Sequence, residues 1–103
     1  MAELDPVIHQ PVRLRIMTAM ASLEPDAHVE FVYLRDRLKL TDGNLGAHLS
    51  KLEAAGYIVL DKTFVSRKPR TYVHLTMAGR QAFERHVAAL QAILRNDASG
   101  GHA

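Results

Sequence analysis

The apolar positions at the start of the chain follow a helical period. Asp5 is typical of a helix N-cap and Pro6 of the first helical position. Pro11 then restarts or kinks the segment. A helix is then predicted up to Pro25, because the apolar residues repeat every three or four positions: Val12, Ile16, Ala19 and Leu23.

A short strand and two further helices are predicted next. Residues 28–31 are too few for a helix and too apolar for a plain loop, so they predict a strand. Residues 32–39 return to the helical period, and a third helix is predicted from about Asp42 to Ala55. Its apolar face consists of Leu45, Leu49 and Leu52, its N-cap is Thr41 and its left-handed C-terminal residue is Gly56.

After this helix, the apolar positions change from a helical repeat to every second residue. Apolar residues alternate with polar ones around 58–64 and again at 72–75, and the intervening residues 65–70 are basic. The pattern predicts a β-hairpin with a charged tip. Thr76 then caps a last helix that runs to about Arg95, and residues 96–103 are predicted to be a flexible tail. The fold class is therefore mainly α with a small β-hairpin, in the order α-β-α-α-β-β-α.

This order of elements resembles the winged helix-turn-helix of the MarR/ArsR-like transcription regulators, and most of all their small single-domain members. The resemblance rests on residues 38–58 for the turn and recognition helix, on 64–72 for the wing and on 75–80 for the start of the last helix. It implies one DNA-binding domain over residues 1–95 that includes a terminal dimerisation helix. Two positions depart from the family pattern: Val32 stands where a capping residue is usual, and Lys39 where glycine is common.

The resemblance assigns DNA-reading roles to the polar side of the third helix. In a helix-turn-helix the second helix lies in the major groove, so side chains opposite the leucines meet base edges. The wing cations would contact phosphates. The predicted DNA-binding residues are Thr41, Asn44, Ala47, His48, Lys51, Arg67, Lys68 and Arg70.

The protein is expected to form a homodimer through its last helix, because this helix carries more apolar surface than one small core can cover. The predicted interface comprises Phe83, Val87, Leu90, Ile93 and Leu94, completed by Val7 and Ile8. A two-fold dimer implies a near-palindromic site on double-stranded DNA.

Composition and charge limit the other functions. The chain has 103 residues, no cysteine and a net charge of +2, and residues 41–80 carry six basic against three acidic side chains. The excess positive charge therefore lies where a polyanion would bind. We find neither a signal peptide nor a transmembrane run, which predicts a cytoplasmic protein with no membrane partner.

No catalytic, cofactor or metal site is expected. The sequence lacks a cysteine nucleophile, a glycine-rich phosphate loop and paired acids beside a histidine. The six histidines are scattered without the spacing of a zinc site. Two alternatives remain at this point: a winged-helix module for protein–protein contact, and a regulator of the same fold that responds to a metal or a small-molecule effector.

Overall fold

A computed structural model describes residues 3–100, with side chains to Asn96. It contains four helices and three strands in the predicted order. The elements are α1 (Pro11–Ala21), β1 (His28–Glu30), α2 (Phe31–Leu38), α3 (Asp42–Ala54), β2 (Ile58–Val65), β3 (Lys68–Leu75) and α4 (Met77–Gly100). The predicted α+β winged-helix class is confirmed.

The three strands form one antiparallel sheet in the order β1-β3-β2. β1 is short because it meets β3 only across residues 72–74, whereas β2 and β3 pair along their full length. One face of this sheet covers the core through Ile58, Val73 and Leu75, which are at most 4% exposed. Beyond these residues the hairpin extends out of the core as the wing.

The core includes three side chains for which the sequence analysis gave no such role. Met17 and Met20 of α1 are buried, because the inward face of α1 is turned slightly from the line of Val12, Ile16 and Ala19. Ile8 is fully buried as well, although the sequence assigned it to a dimer interface. That assignment is wrong, because the N-terminal segment folds back onto the core of its own chain.

The N-terminal segment forms a turn where the sequence predicted the start of a helix. Residues 6–9 make this turn, which is closed by a hydrogen bond from the His9 amide to the Asp5 carbonyl. The Asp5 side chain nevertheless caps it as expected, since one carboxylate oxygen accepts from the amides of Val7 and Ile8 at 2.8 and 3.2 Å. Regular helix begins only at Pro11.

The second helix begins one residue earlier than the sequence predicted. Glu30 is therefore the capping position instead of Val32, and its side chain makes no capping hydrogen bond. The Glu30 carboxylate binds Arg70 instead, at 3.1 Å. The helix ends at Leu38, and the next residue, Lys39, takes the left-handed conformation (φ 56°) that normally favours glycine.

Asp5 also ties the N-terminal segment to two distant elements. Its carboxylate accepts a hydrogen bond from the Tyr57 hydroxyl, and its amide donates to Nδ1 of His86 at 2.9 Å. The bond to Asp5, together with burial, raises the pKa of Tyr57 to about 12. Burial, together with the nearby His9, lowers the pKa of His86, so its imidazole is neutral and can accept at Nδ1.

The start of α4 is fixed against the end of α3. The Thr76 hydroxyl donates to the Gly56 carbonyl at 2.7 Å and accepts from the Gly79 amide at 2.9 Å, which confirms the predicted cap. The Thr76 amide also donates to the Tyr57 carbonyl at 3.0 Å. A Cβ atom on Gly79 would lie only 2.1 Å from that same carbonyl oxygen. Only glycine lets the two segments approach this closely.

The last helix is longer than predicted, since it continues past Arg95 to Gly100. The predicted flexible tail therefore begins as helix, and its residues 101–103 lie outside the described part of the chain. None of the helices over residues 3–100 has the length and apolar character needed to cross a membrane.

We expect Gly79→Ala to lower the free energy of unfolding by about 3 kcal/mol, because a backbone carbonyl cannot move away from the added methyl group. Thermal or urea unfolding followed by circular dichroism measures the change. Gly46→Ala is the matched control. It adds the same methyl group within a helix where no atom lies within 4 Å, and should raise stability by up to about 1 kcal/mol. Equal effects at both positions would contradict the close contact.

Candidate nucleic-acid interface

α3 is held against the core by its predicted apolar face. Leu45, Leu49 and Leu52 are all fully buried, as expected. The helix ends in the hydrogen bonds of a Schellman motif: the Gly56 amide donates to the Glu53 carbonyl at 2.9 Å, and the next amide, of Tyr57, reaches back to Leu52 at 3.0 Å. Gly56 has a φ of 80°, which confirms the predicted left-handed position.

The turn between α2 and α3 is stabilised by two arginines. The Arg35 guanidinium binds Asp36 on its own helix and Asp42 at the start of α3, both at 2.9 Å. These hydrogen bonds raise the pKa of Arg35, so it stays charged. Arg15 of α1 adds a hydrogen bond of 2.7 Å to the Leu38 carbonyl. The contacts fix the angle between the two helices of the helix-turn-helix.

The outermost line of α3 consists of small side chains. At 100° per residue, the positions opposite the buried leucines are Gly43, Ala47, Ser50 and Ala54, and all four are exposed. Of these, only Ala47 belongs to the site predicted from the sequence. A helical wheel centred opposite the leucines is the signal that would also have identified Ser50.

Most of the predicted residues on α3 lie beside this line. Asn44 and Lys51 are exposed along one flank of it. The Thr41 hydroxyl is committed to the helix cap, where it accepts from the Asn44 amide at 3.1 Å. The helix therefore presents a narrow, low ridge with a carboxamide and an ammonium group on one side.

His48 lies further round the helix than predicted and is half-buried. Burial, together with the nearby Arg13 guanidinium of α1, lowers its pKa below the ordinary value of 6.5. The imidazole is therefore neutral at pH 7 and is set back from the outermost line. Arg13 is a cation beside the recognition helix that sequence reasoning did not associate with it, because only tertiary packing brings α1 to this position.

The glycines of α3 have no packing role within the chain. A Cβ atom added at Gly43 or Gly46 would meet no atom within 4 Å. At Gly43, which is on the outermost line, the missing side chain leaves room for an external partner to approach the backbone.

The wing ends in a tighter turn than the sequence predicted. Val65 pairs with Lys68, so only Ser66 and Arg67 form the loop, and both have positive φ (51° and 68°). This is the conformation of a two-residue type I′ turn, which suits the twist of the strands. The backbone geometry therefore places Arg67 at the tip of the wing, with the exposed Lys68 beside it.

The Arg70 side chain is already paired with an acidic residue of the same chain. Its guanidinium binds both carboxylate oxygens of Glu30, at 3.1 and 3.2 Å, at the base of the wing. The Tyr72 hydroxyl lies 3.5 Å from the same carboxylate. The sequence predicted that the three wing cations need an external anion, but for Arg70 the fold provides one through the pairing of β1 with β3.

The fold brings together histidines that are far apart in sequence. His28 and His74 stack with ring centroids 4.5 Å apart, because their strands are paired. His9 and His86 lie 5.9 Å apart. Among the residues that the structure describes, no three histidine or acidic side chains are arranged to hold a metal ion.

The last helix packs against the core of its own chain mainly through small residues. Its buried face consists of Gly79, Ala82, His86 and Ala89. The predicted interface residues Phe83, Val87 and Leu90 are half-buried beside this face, whereas Ile93 and Leu94 are 42% and 67% exposed. Val7 is half-buried and packs against the core with Phe83, so it is also not the unused apolar residue that the sequence predicted.

Solved structures of similar fold include regulators from archaea. The transcriptional regulator homologue from Pyrococcus horikoshii is 31% identical, with a TM-score of 0.79, over 87% of this chain and 86% of that one. The transcriptional regulator BldR from Sulfolobus solfataricus is 25% identical, with a TM-score of 0.64, over 82% of this chain and 58% of BldR.

Sequence comparison gives a relative of nearly the same length. The uncharacterized protein MJ0432 of Methanocaldococcus jannaschii is 33% identical over 90 residues, which cover 87% of this chain and 95% of that protein. Residues 12–94 match the winged helix DNA-binding domain family. This match covers α1 to α4, including the recognition helix and the wing, and the chain therefore belongs to the winged helix DNA-binding domain family.

Proposed function

We propose that this protein is a sequence-specific transcription regulator that binds duplex DNA as a homodimer and has no enzymatic activity. The observation that carries the proposal is the exposed ridge of α3, where small residues are flanked by Asn44 and Lys51. A major groove about 12 Å wide accepts one helix, and small side chains let that helix lie close to the bases. Asn44 can then pair with adenine, and Lys51 with guanine or a phosphate.

A protein–protein module is less well supported by the same surface. A helix face that docks on a protein usually presents large apolar or aromatic side chains. The outward face of α3 has none, and its largest exposed side chains are polar. The exposed large apolar residues lie elsewhere, on the wing and at the end of α4.

In-vitro selection of random duplexes by the purified protein is expected to give one enriched motif. Asn44→Ala should relax the base preference at one position of each half-site, at a cost of about 1–3 kcal/mol, because a bidentate contact to adenine is lost. Ser22→Ala, at the exposed end of α1, is the control and should select the wild-type motif. If the wild-type protein enriches no motif, the proposed function is wrong.

We expect Arg67 and Lys68 to bind phosphates. The double variant Arg67→Ala, Lys68→Ala should weaken binding to all duplexes and reduce the slope of log K against log salt concentration by about two, because each phosphate contact releases about one counterion. Arg70→Ala should change the slope less, because Glu30 already neutralises this guanidinium. Arg95→Ala, which removes the same charge from α4, is the control. An unchanged slope in the double variant would show that the wing does not contact DNA.

The proposed homodimer is supported by the difference between two faces of α4. Mainly small residues face the chain's own core, so the adjacent large residues stay partly exposed, and Ile93 and Leu94 near the end of the described side chains are exposed. Apolar surface left in water costs about 25 cal/mol per Å², which pairing two such helices would recover. A two-fold axis through α4 would place two copies of α3 about one DNA turn apart and therefore predicts a near-palindromic site.

Sedimentation should show a dimer for the wild type at micromolar concentration and a monomer for Ile93→Glu, Leu94→Glu. Both side chains are exposed in the single chain, so the added charges should disrupt association without unfolding the protein. Gln91→Glu, an exposed position on the same helix, controls for the added charge. A monomeric wild type, or a double variant that remains dimeric, would reject this interface.

A further inference from the structure

Phe64 on the wing is the most exposed large apolar side chain that the structure describes, at 74%. It is one residue from the last pair of the hairpin and contributes little to the core. Exposure of a phenylalanine is unfavourable, and threonine would favour a strand as well without exposing a large apolar side chain. The position therefore suggests a contact with a partner.

The strand register sets the direction of this side chain. Phe64 pairs with Pro69, and because side chains alternate along a strand it shares its sheet face with Leu60 and Val73. That is the face that covers the core, on the same side of the sheet as α3. Phe64 therefore points to the side of the sheet on which the recognition helix lies.

Pro69 supports the phenylalanine from the opposite strand. A two-residue turn closes on the hydrogen-bonded pair of Val65 and Lys68, so the next pair, Phe64 and Pro69, is a non-hydrogen-bonded one. Side chains are closest at such pairs, and a proline there removes no ladder hydrogen bond between the two strands. Together the two rings form a rigid apolar edge.

Cations flank this apolar edge. Lys62 lies on the same face of β2, Arg67 lies at the turn, and Lys68 lies beside the turn on the opposite face, paired with Val65. Asp61, the nearest acidic residue along β2, lies on the opposite face, 3.8 Å from His28. An apolar edge with cations along its strand and at its tip is complementary to stacked bases between two lines of phosphates.

We propose that Phe64 inserts as a wedge between base pairs in the minor groove next to the major groove that α3 occupies, and so kinks the DNA. This inference rests on the proposed function. Phe64 is six residues from the start of β2, about 20 Å, and adjacent grooves are separated by half a helical turn, about 17 Å. Apolar wedges of this kind unstack one base step, and flexible pyrimidine–purine steps resist least. The wing would thus read DNA deformability as well as phosphates.

The test compares Phe64→Ala with Val65→Ala, a control on the opposite face of the same hairpin that is also exposed. The probe is the selected duplex with 2-aminopurine at the steps reached by the wing, since its fluorescence rises when it is unstacked. We expect Phe64→Ala to lose at least tenfold in affinity and the fluorescence increase, with an unchanged salt slope because no charge is removed. Val65→Ala should retain wild-type affinity and the fluorescence increase.

Two results would overturn the wedge while the proposed function stands. In the first, Phe64→Ala binds the duplex and raises the fluorescence as the wild type does. In the second, Phe64→Ala changes the sedimentation of the free protein, which would make Phe64 a contact between protein chains. Failure of the wild type to bind any duplex would overturn both proposals.

Discussion

The close contact between the Tyr57 backbone and the first turn of α4 is the constraint on which the rest of the structure depends. Tyr57 is the last residue of the Schellman motif of α3 and precedes β2, and Gly79 packs directly against its carbonyl group. Thr76 joins the same junction from the end of β3. The recognition helix, the wing and the terminal helix therefore meet at one point, where a backbone contact leaves little freedom.

This junction would help to set the separation of the two recognition helices in the proposed dimer. A protein that reads two half-sites must hold its recognition helices at a fixed separation, and here α4, the proposed dimer helix, starts against the end of α3. Asp5 strengthens the same region, because its carboxylate binds the Tyr57 hydroxyl. Burial raises the pKa of Asp5, but the hydrogen bonds from Tyr57, Ile8 and Val7 outweigh burial and lower it overall, so the carboxylate is charged at neutral pH.

Some cationic side chains near the proposed DNA-binding surface are already paired with carboxylates of the same chain. Arg35 is engaged by Asp36 and Asp42, and Arg70 by Glu30. Within the part of the chain that the structure describes, Lys51, Arg67 and Lys68 form no ion pair with an acidic side chain, and they lie on α3 and the wing tip. These three side chains can therefore bind an external anion without first losing an internal partner.

The sequence by itself determined the order of the elements, the leucine face of α3 and the left-handed position of Gly56, because periodicity and capping act between residues that are close along the chain. Only the tertiary structure decided that Ile8 is buried, that Arg70 binds Glu30 and that His48 is half-buried near Arg13. These contacts depend on strand register and on how α1 and the N-terminal segment pack, over separations of up to 81 residues in the case of Asp5 and His86. Local patterns cannot specify which distant surfaces meet, since many pairings would satisfy the same pattern and only the packing of the whole core selects one.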